Sequence, residues 1–220
     1  MADATTLMWE PGEVLHEGAE ATVTEGFWLG RKAVLKSRRP RSYRHPDLDR
    51  RLTKQRLSVE ARVLSKLSIS GFPCPSIIHL DQQNSLILMT KVDGMPLYDS
   101  LKSGDASSNE LRDLGSLIRR LHIHGVSHGD LTTHNVMISE DGILFLIDFG
   151  LSRQSPELEH MGLDLQVLNE CLGASHSTIF NGIETVCEGY LSEGGFSNSE
   201  SADIVIDRFK KITSRVRYHG

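Results

Sequence analysis

The chain has 220 residues, with 39% hydrophobic and 24% charged content and a formal net charge of −5. This hydrophobic content can form a buried core, in one large domain or in two small lobes. No apolar run approaches the roughly 20 residues that span a bilayer, and residues 1–6 carry no secretory signal, so we expect a soluble, intracellular protein. Cys74, Cys171 and Cys187 are scattered without metal-ligand spacing, which indicates reduced thiols.

The first half of the sequence is typical of a sheet with one long helix. Strands are predicted where apolar residues alternate or cluster between glycines, at residues 13–16, 21–28, 32–37, 77–80 and 86–89. A helix is predicted at residues 47–67, after a Pro46-Asp47 start signal. Its apolar residues recur at helical spacing and are Leu48, Leu52, Leu57, Ala61, Leu64 and Leu67. We therefore expect a five-stranded antiparallel sheet with one helix in an N-terminal lobe, residues 1–92.

The second half is mainly helical in pattern. An amphipathic face precedes residue 128 and consists of Leu111, Leu114, Leu117, Ile118 and Leu121. Further helices are predicted at residues 158–172, 177–191 and 199–217. His122-Ile123-His124 is interpreted as a surface or core pair at a helix end rather than as a metal site. We expect a C-terminal lobe, residues 93–220, that is joined to the sheet lobe by a hinge near residues 90–93 and separated from it by a cleft.

The charge is distributed unevenly along the chain. Residues 36–62 contain ten lysines and arginines but three acidic residues, so the remainder of the chain is markedly acidic. A basic segment in an acidic protein can contact phosphates, including those of RNA. The alternative is a solvated loop and helix face, with some arginines paired to acids elsewhere. The sequence leaves both interpretations open.

The most informative motif is His-Gly-Asp-Leu-Thr-Thr-His-Asn at residues 128–135, followed by Asp-Phe-Gly at residues 148–150. Asp130, Asn135 and Asp148 have the spacing used for phosphoryl transfer from a metal-bound nucleotide. In that arrangement the first aspartate accepts the proton of the attacking hydroxyl, while the asparagine and the second aspartate hold Mg²⁺. An apolar hairpin, residues 136–138 and 143–147, connects the two motifs. The alternative is two ordinary polar turns that flank a hairpin.

The N-terminal lobe is expected to bind the nucleotide. Lys36 ends the third predicted strand, where a lysine can bind the α- and β-phosphates of ATP, and Glu60 on the long helix is its expected ion-pair partner. A turn at residues 17–21 is placed to cover the phosphates, with a single glycine instead of the Gly-x-Gly-x-x-Gly run of ordinary protein kinases. The predicted ATP-binding residues are Leu15, Gly18, Ala19, Glu20, Val23, Lys36, Glu60 and Met89.

The segment after Gly150 is unusually short for a protein kinase. Residues 151–154 are followed by a predicted helix, no Ala-Pro-Glu element is present, and no long activation loop fits. Regulation by loop phosphorylation is therefore not expected, and a docked partner is expected to supply substrate or activation.

These features resemble the small atypical serine/threonine kinases of the KEOPS/EKC complex (the PRPK type). The likeness covers nearly the whole chain and rests on residues 17–21, on Lys36 with residues 43–49 and 56–61, on residues 128–135 and 147–151, and on residues 162–168. In the last stretch, Asp164 is similar to the buried aspartate that braces the catalytic loop from a helix. His128 is the second expected structural support.

The resemblance implies an α+β protein with a minimal bilobal protein-kinase-like fold that uses ATP and Mg²⁺. It implies that Lys36 and Glu60 form an ion pair, that Asp130 is the catalytic base, and that Asn135 and Asp148 are the metal ligands. Family members are serine/threonine kinases in isolation and act in their complex mainly as an ATPase that supports threonylcarbamoylation of adenosine in tRNA.

The same resemblance implies two protein partners and a contact with tRNA. A threonylcarbamoyl transferase subunit is expected on the C-terminal lobe, and a small regulatory subunit on the N-terminal lobe. Residues 36–62 and the C-terminal tail are the expected tRNA contacts, although residues 210–220 lack the Arg-Gly-Arg-Lys-Arg tail usual in the family. No membrane partner is expected.

Two other classes of function stay open. A small-molecule kinase of the aminoglycoside phosphotransferase type shares His-Gly-Asp, but Phe149-Gly150 and the absence of a large helical insert disfavour it. The same Asp-Phe-Gly disfavours a RIO-type kinase. The remaining alternative is an inactive scaffold. It is disfavoured because all five catalytic positions hold functional residue types, namely Lys36, Glu60, Asp130, Asn135 and Asp148.

Overall fold

The computed structural model of the protein describes residues 8–18, 21–39, 45–105, 107–194 and 201–217. The chain divides into two compact units, Met1–Val92 and Asp93–Gly220. Among the described residues, no helix is both long and apolar enough to cross a membrane.

The first unit contains an antiparallel sheet of five strands and one long helix. Its elements are β1 (Trp9–Glu17), β2 (Ala21–Trp28), β3 (Arg31–Arg38), α1 (Pro46–Ile69), β4 (Ile77–Asp81) and β5 (Leu86–Thr90). The strand order is β1-β2-β3-β5-β4, so β3 is central and is paired on both sides. The five strands predicted from the sequence are confirmed, although β1 begins four residues earlier than expected.

The helix α1 packs against β4 and β5. Its first turn begins at Pro46, and the side chain of His45 accepts a hydrogen bond from the Asp47 N–H. The buried apolar residues are Leu57, Ala61, Val63, Leu64 and Leu67. The assignment of Leu48 to the apolar face is wrong, since this residue is exposed on the first turn of the helix.

The described residues of the second unit form five helices and several short strands. Its elements are β6 (Gly94–Pro96), α2 (Leu97–Ser103), α3 (Ser108–Ile123), β7 (Val126–Ser127), a 3₁₀ turn (Thr133–Asn135), β8 (Val136–Ser139), β9 (Leu144–Leu146), β10 (Arg153–Gln154), α4 (Leu158–Ser175), α5 (Gly182–Ser192) and α6 (Ala202–Arg217). The predicted hairpin is confirmed as β8–β9, and β6 adds a third strand to it. The helix predicted at residues 177–191 begins only at Gly182.

Two glycines allow α3 and α5 to cross at close range. A Cβ on Gly115 would lie 2.0 Å from the Val186 carbonyl oxygen, and one on Gly189 would lie 1.8 Å from the Arg112 carbonyl oxygen. Such contacts are impossible for any side chain, so the backbones meet only because both positions are glycine. This crossing fixes Tyr190, the residue after Gly189, against α3.

Candidate active site

A buried cluster of charged side chains lies on one face of the sheet in the first unit. Lys36 Nζ is 2.8 Å from Glu60 Oε1, and Arg38 Nη2 is 2.5 Å from Glu60 Oε2. Lys36 and Arg38 point to the same side because they are two residues apart on β3. The three side chains are at most 7% exposed, so solvent and salt screen their interaction only weakly. Glu60 thereby fixes the position of the Lys36 ammonium group.

Two further residues expected to contact ATP lie on the same face as Lys36. Val23 is the cross-strand partner of Lys36, and Met89 is the partner of Val34, two residues before Lys36. Directly opposed residues project to the same side of a sheet, so Val23, Lys36 and Met89 are grouped together.

The predicted phosphate-covering turn is described only in part. Leu15 lies on β1, two residues before the turn, and is half exposed. The Gly18 N–H donates to the Ala21 carbonyl oxygen at 3.0 Å, which closes the turn. The other predicted residues of this turn, Ala19 and Glu20, lie outside the described residues.

In the second unit, the carboxylate of Asp164 holds the start of the loop at residues 128–135, the candidate catalytic loop. Asp164 Oδ2 accepts the His128 N–H at 2.6 Å, and Oδ1 accepts the Gly129 N–H at 2.8 Å. The buried His128 side chain contacts the Ile147 carbonyl oxygen through Nε2 at 3.0 Å. Ser152 donates to the His128 carbonyl oxygen at 3.1 Å. The loop is therefore fixed from α4 and from the segment around Asp148.

Gly129 is required by the backbone of this loop. Its φ is +82°, in the left-handed region that favours glycine, and an added Cβ would lie 2.3 Å from the Leu151 carbonyl oxygen. The loop and the segment after Gly150 are thus in direct backbone contact.

Asp130 and Asn135 are hydrogen-bonded to each other at the exposed side of the loop. Asn135 Nδ2 donates to the Asp130 carbonyl oxygen at 2.8 Å and to Asp130 Oδ2 at 3.2 Å. Because both hydrogen bonds use the amide nitrogen, Asn135 Oδ1 is the side-chain oxygen that could be offered to a cation.

Asp148 is joined to Asn135 through the backbone. The Ile147 N–H donates to the Asn135 carbonyl oxygen at 3.0 Å, and the next residue, Asp148, is exposed. Asp148 has a φ of +60°, which is uncommon for a residue other than glycine and occurs at functional sites. Its Oδ1 accepts the Gly150 N–H at 3.3 Å, while Phe149 is fully buried and anchors the turn.

The oxygen donors at Asn135 and Asp148 fit Mg²⁺. This ion prefers oxygen ligands and, beside phosphates, is commonly held by one or two protein groups with the remainder from substrate and water. No group of three or more His, Cys, Asp or Glu side chains suited to a metal ion occurs in the described part of the chain. A dedicated all-protein metal site is therefore not seen there, whereas a site shared with phosphates is compatible with these residues.

A histidine at the end of α4 contacts the middle of the catalytic loop. His176 Nε2 lies 3.0 Å from Thr133 Oγ1, and Tyr98 stacks on His134 with 3.8 Å between ring centroids. Burial, and then the positive charge of Lys102, lower the pKa of His176 below its ordinary value. This shift favours the uncharged form of His176.

Several residues around these groups could not be identified from the sequence. Arg38 had one signal, since it lies two residues from Lys36 on the same strand. His122, Tyr190 and His176 had no such signal, because their partners lie 42 or more residues away in the chain.

The sequence matches a known protein family. A sequence profile of the RIO domain matches residues 24–167 of the chain. The chain belongs to the RIO domain family. The expectation that the Asp-Phe-Gly at residues 148–150 disfavours a RIO-type kinase is therefore wrong, because the RIO domain match includes this tripeptide.

Related proteins confirm the resemblance to the KEOPS/EKC kinases. The EKC/KEOPS complex subunit Tp53rkb of Mus musculus is 32% identical over 94% of this RIO domain chain and 86% of the mouse protein. A probable bifunctional tRNA threonylcarbamoyladenosine biosynthesis protein of Methanothermobacter thermautotrophicus is 35% identical over 94% of the chain. The chain spans only 37% of the length of that archaeal protein.

A solved structure shows the same fold. The Rio2 kinase from Chaetomium thermophilum, in an ADP/Mg²⁺-phosphoaspartate complex, matches with a TM-score of 0.63 and 18% identity. The match covers 98% of this chain and 72% of that chain. This confirms the α+β class and identifies the fold of this RIO domain chain as that of an atypical kinase.

Proposed function

We propose that the chain is an ATP-dependent phosphotransferase and ATPase that requires Mg²⁺ and acts as the kinase subunit of a KEOPS/EKC complex. In that complex it would support threonylcarbamoyladenosine modification of tRNA. The observation that carries the proposal is the linked arrangement of Asp130, Asn135 and Asp148, built on a loop that Asp164 holds. A compartment that contains tRNA, the cytoplasm or the nucleus, is the corresponding location.

Each residue has a defined chemical task in this proposal. Lys36, oriented by Glu60, would bind the α- and β-phosphates, and Asn135 and Asp148 would hold Mg²⁺, which neutralises phosphate charge when bound. Asp130 would accept the proton of the attacking hydroxyl or water, while the oxygen of that hydroxyl or water bonds to the γ-phosphorus. The bond from that phosphorus to ADP breaks in the same reaction, and ADP leaves.

The acceptor of the phosphoryl group decides between two outputs of the same site. Asp130 is exposed, so both a protein hydroxyl and a water molecule can reach its carboxylate. Serine/threonine phosphorylation would result in the first case, and ATP hydrolysis in the second. The proposed role in tRNA modification favours hydrolysis, because the product of that modification is a tRNA and not a phosphorylated protein.

The basic segment is proposed to contact tRNA through α1 rather than through β3. Lys36 and Arg38 are buried against Glu60, whereas Arg51 and Lys54 are exposed on the helix. Exposed cations on one helix can contact phosphates without loss of the buried ion pairs.

Affinity capture from cells tests the complex. We expect the tagged wild-type chain to recover a threonylcarbamoyl transferase and tRNA, because both belong to the proposed assembly. An Asp130→Asn bait should recover the same transferase, since the change removes the base without altering the fold. Recovery of neither transferase nor tRNA would contradict membership of the complex. A double Arg51→Glu, Lys54→Glu bait should keep the transferase and lose tRNA, and unchanged tRNA recovery would contradict the α1 contact.

A further inference from the structure

A chain of buried polar groups connects α5 and α3 to the catalytic loop. Tyr190 Oη on α5 lies 2.8 Å from His122 Nδ1 on α3, and His122 Nε2 lies 3.2 Å from Asp164 Oδ2 on α4. All three residues are at most 2% exposed. Polar groups at this depth keep their partners because an unpaired group costs about 1–3 kcal/mol. The arrangement is therefore fixed and not a surface coincidence.

The proton positions in the hydrogen-bonded series Tyr190, His122 and Asp164 can be assigned from the chemistry of the three groups. Burial raises the pKa of Tyr190 to about 12, so the hydroxyl keeps its proton. The carboxylate of Asp164 has no proton to donate, so the ring nitrogen beside it carries the hydrogen. His122 is then the tautomer that accepts from Tyr190 at Nδ1 and donates to Asp164 from Nε2. One orientation of the ring satisfies both contacts.

The Asp164 carboxylate consequently accepts three hydrogen bonds. They come from His122 Nε2 and from the backbone N–H groups of His128 and Gly129. The contact from His122 fixes the rotation of the carboxylate, and the carboxylate fixes the two backbone amides. Gly129 directly precedes Asp130, so a rotation of Asp164 would displace the base.

Tyr190, at the end of the hydrogen-bonded series away from Asp164, is also held in position. Tyr190 follows Gly189, where the backbones of α3 and α5 meet. The Arg119 side chain forms a hydrogen bond with the Tyr190 hydroxyl, and its guanidinium lies 5.5 Å from the centroid of the Tyr190 ring. Arg119 and His122 are three residues apart on α3 and so lie on one side of the helix. The hydroxyl is thus oriented from both sides.

We propose that His122 and Tyr190 are positioning residues that hold Asp130 in place for phosphoryl transfer by way of Asp164. This role rests on the proposed function, because the group that is positioned is the proposed catalytic base. Neither residue contacts the reacting atoms. Their effect is expected in the geometry of the catalytic loop, which is a property that can be measured with or without ATP turnover.

Three substitutions separate positioning from mere packing. Tyr190→Phe removes the hydroxyl and keeps the ring. His122→Gln places an amide nitrogen where Nε2 lies and can still donate to Asp164, whereas His122→Asn places its amide nitrogen near the position of Nδ1 and cannot reach Asp164. The glutamine and asparagine variants therefore form a matched pair with one methylene between them.

We expect Tyr190→Phe and His122→Asn to lower kcat for ATP hydrolysis by roughly 10- to 100-fold, since a small misplacement of a catalytic group has effects of this size. KM for ATP should stay near the wild-type value, because no residue of the ion-pair cluster is altered. His122→Gln should retain most of the wild-type kcat. A kcat for His122→Asn equal to that of wild type, or His122→Gln as impaired as His122→Asn, would overturn the proposal.

Amide hydrogen exchange at His128 and Gly129 gives a second readout that needs no activity. Exchange should be faster by about tenfold or more in His122→Asn, with smaller changes elsewhere in α3 and α4. In His122→Gln it should stay near the wild-type rate. Unchanged exchange at both amides in His122→Asn would overturn the positioning role even if ATP hydrolysis is abolished. Absence of ATP turnover by wild type, with the expected exchange pattern, would instead contradict the proposed function alone.

Discussion

Asparagine at either Asp130 or Asp148 should lower kcat for ATP turnover by about 10³-fold while leaving the unfolding midpoint unchanged. At Asp130 the change removes the proton acceptor but keeps an oxygen that can accept from Asn135 Nδ2. At Asp148 it removes the negative charge that would hold Mg²⁺. Both side chains are exposed, so neither substitution alters the core.

Asparagine is the suitable replacement at Asp148 because of the backbone. The φ of +60° lies in the left-handed region, where asparagine is tolerated better than alanine. The matched control is Asp141→Asn, in the exposed turn between β8 and β9, which should leave kcat unchanged. Steady-state kinetics on the three variants, with thermal unfolding of each, is the measurement. Wild-type kcat in both Asp130→Asn and Asp148→Asn would rule out the assignment of the site.

Glu60→Ala should destabilise the protein by about 3–5 kcal/mol and also reduce ATP turnover. The carboxylate of Glu60 is the group that both Lys36 and Arg38 contact in a nearly solvent-free environment. Its removal deprives two buried cations of that carboxylate and frees Lys36 to change position. Stability and function are therefore expected to fall together.

Urea unfolding of Glu60→Ala and of a control variant compares the loss of a buried carboxylate with the loss of an exposed one. The control is Glu17→Ala, which removes the partner of Arg39 in an ion pair more than 60% exposed on both sides. Exposed pairs contribute about 0–1 kcal/mol, so the control should change the free energy of unfolding very little. A loss in Glu60→Ala no larger than that in Glu17→Ala would show that the buried cluster is not a stabilising feature.

The sheet of the first unit could be predicted because its signals are local. Alternation between glycines marked each strand, and the spacing of Leu57, Leu64 and Leu67 marked the buried side of α1. The pattern failed at Leu48, which has the right spacing but lies on the first turn of α1, where none of the described residues covers it closely enough to bury it. Periodicity identifies a face of a helix, but not how far along the helix that face is covered.

The short elements of the second unit could not be predicted in the same way. β6 contains Gly94 and Pro96, both unfavourable in strands, and it is an edge strand that pairs with β8 more than 40 residues later. Ile179 lies four residues before Ile183, which is a helical spacing, but residues 177–181 form turns before α5 begins at Gly182. For β6, pairing with β8 outweighs the local preference of its residues.

The candidate site shows the same division between local and distant information. Asp130, Asn135 and Asp148 lie within 19 residues and could be found by spacing alone. The contacts of His122 with Tyr190 and with Asp164 join positions 68 and 42 residues apart, and only the fold reveals them. The candidate site residues, and Asp164 and His128 as their supports, could therefore be proposed from the sequence, whereas the contacts of His122 and Tyr190 behind Asp164 could not.

The central claim is that Asp130, Asn135 and Asp148 form a Mg²⁺-dependent phosphoryl-transfer site. Release of γ-phosphate from ATP by the purified wild-type chain, with excess Mg²⁺ and then with EDTA, tests it most directly. We predict release that requires Mg²⁺ and that is lost in Asp130→Asn. Release that is unaffected by EDTA, or equal in wild type and Asp130→Asn, would contradict the claim.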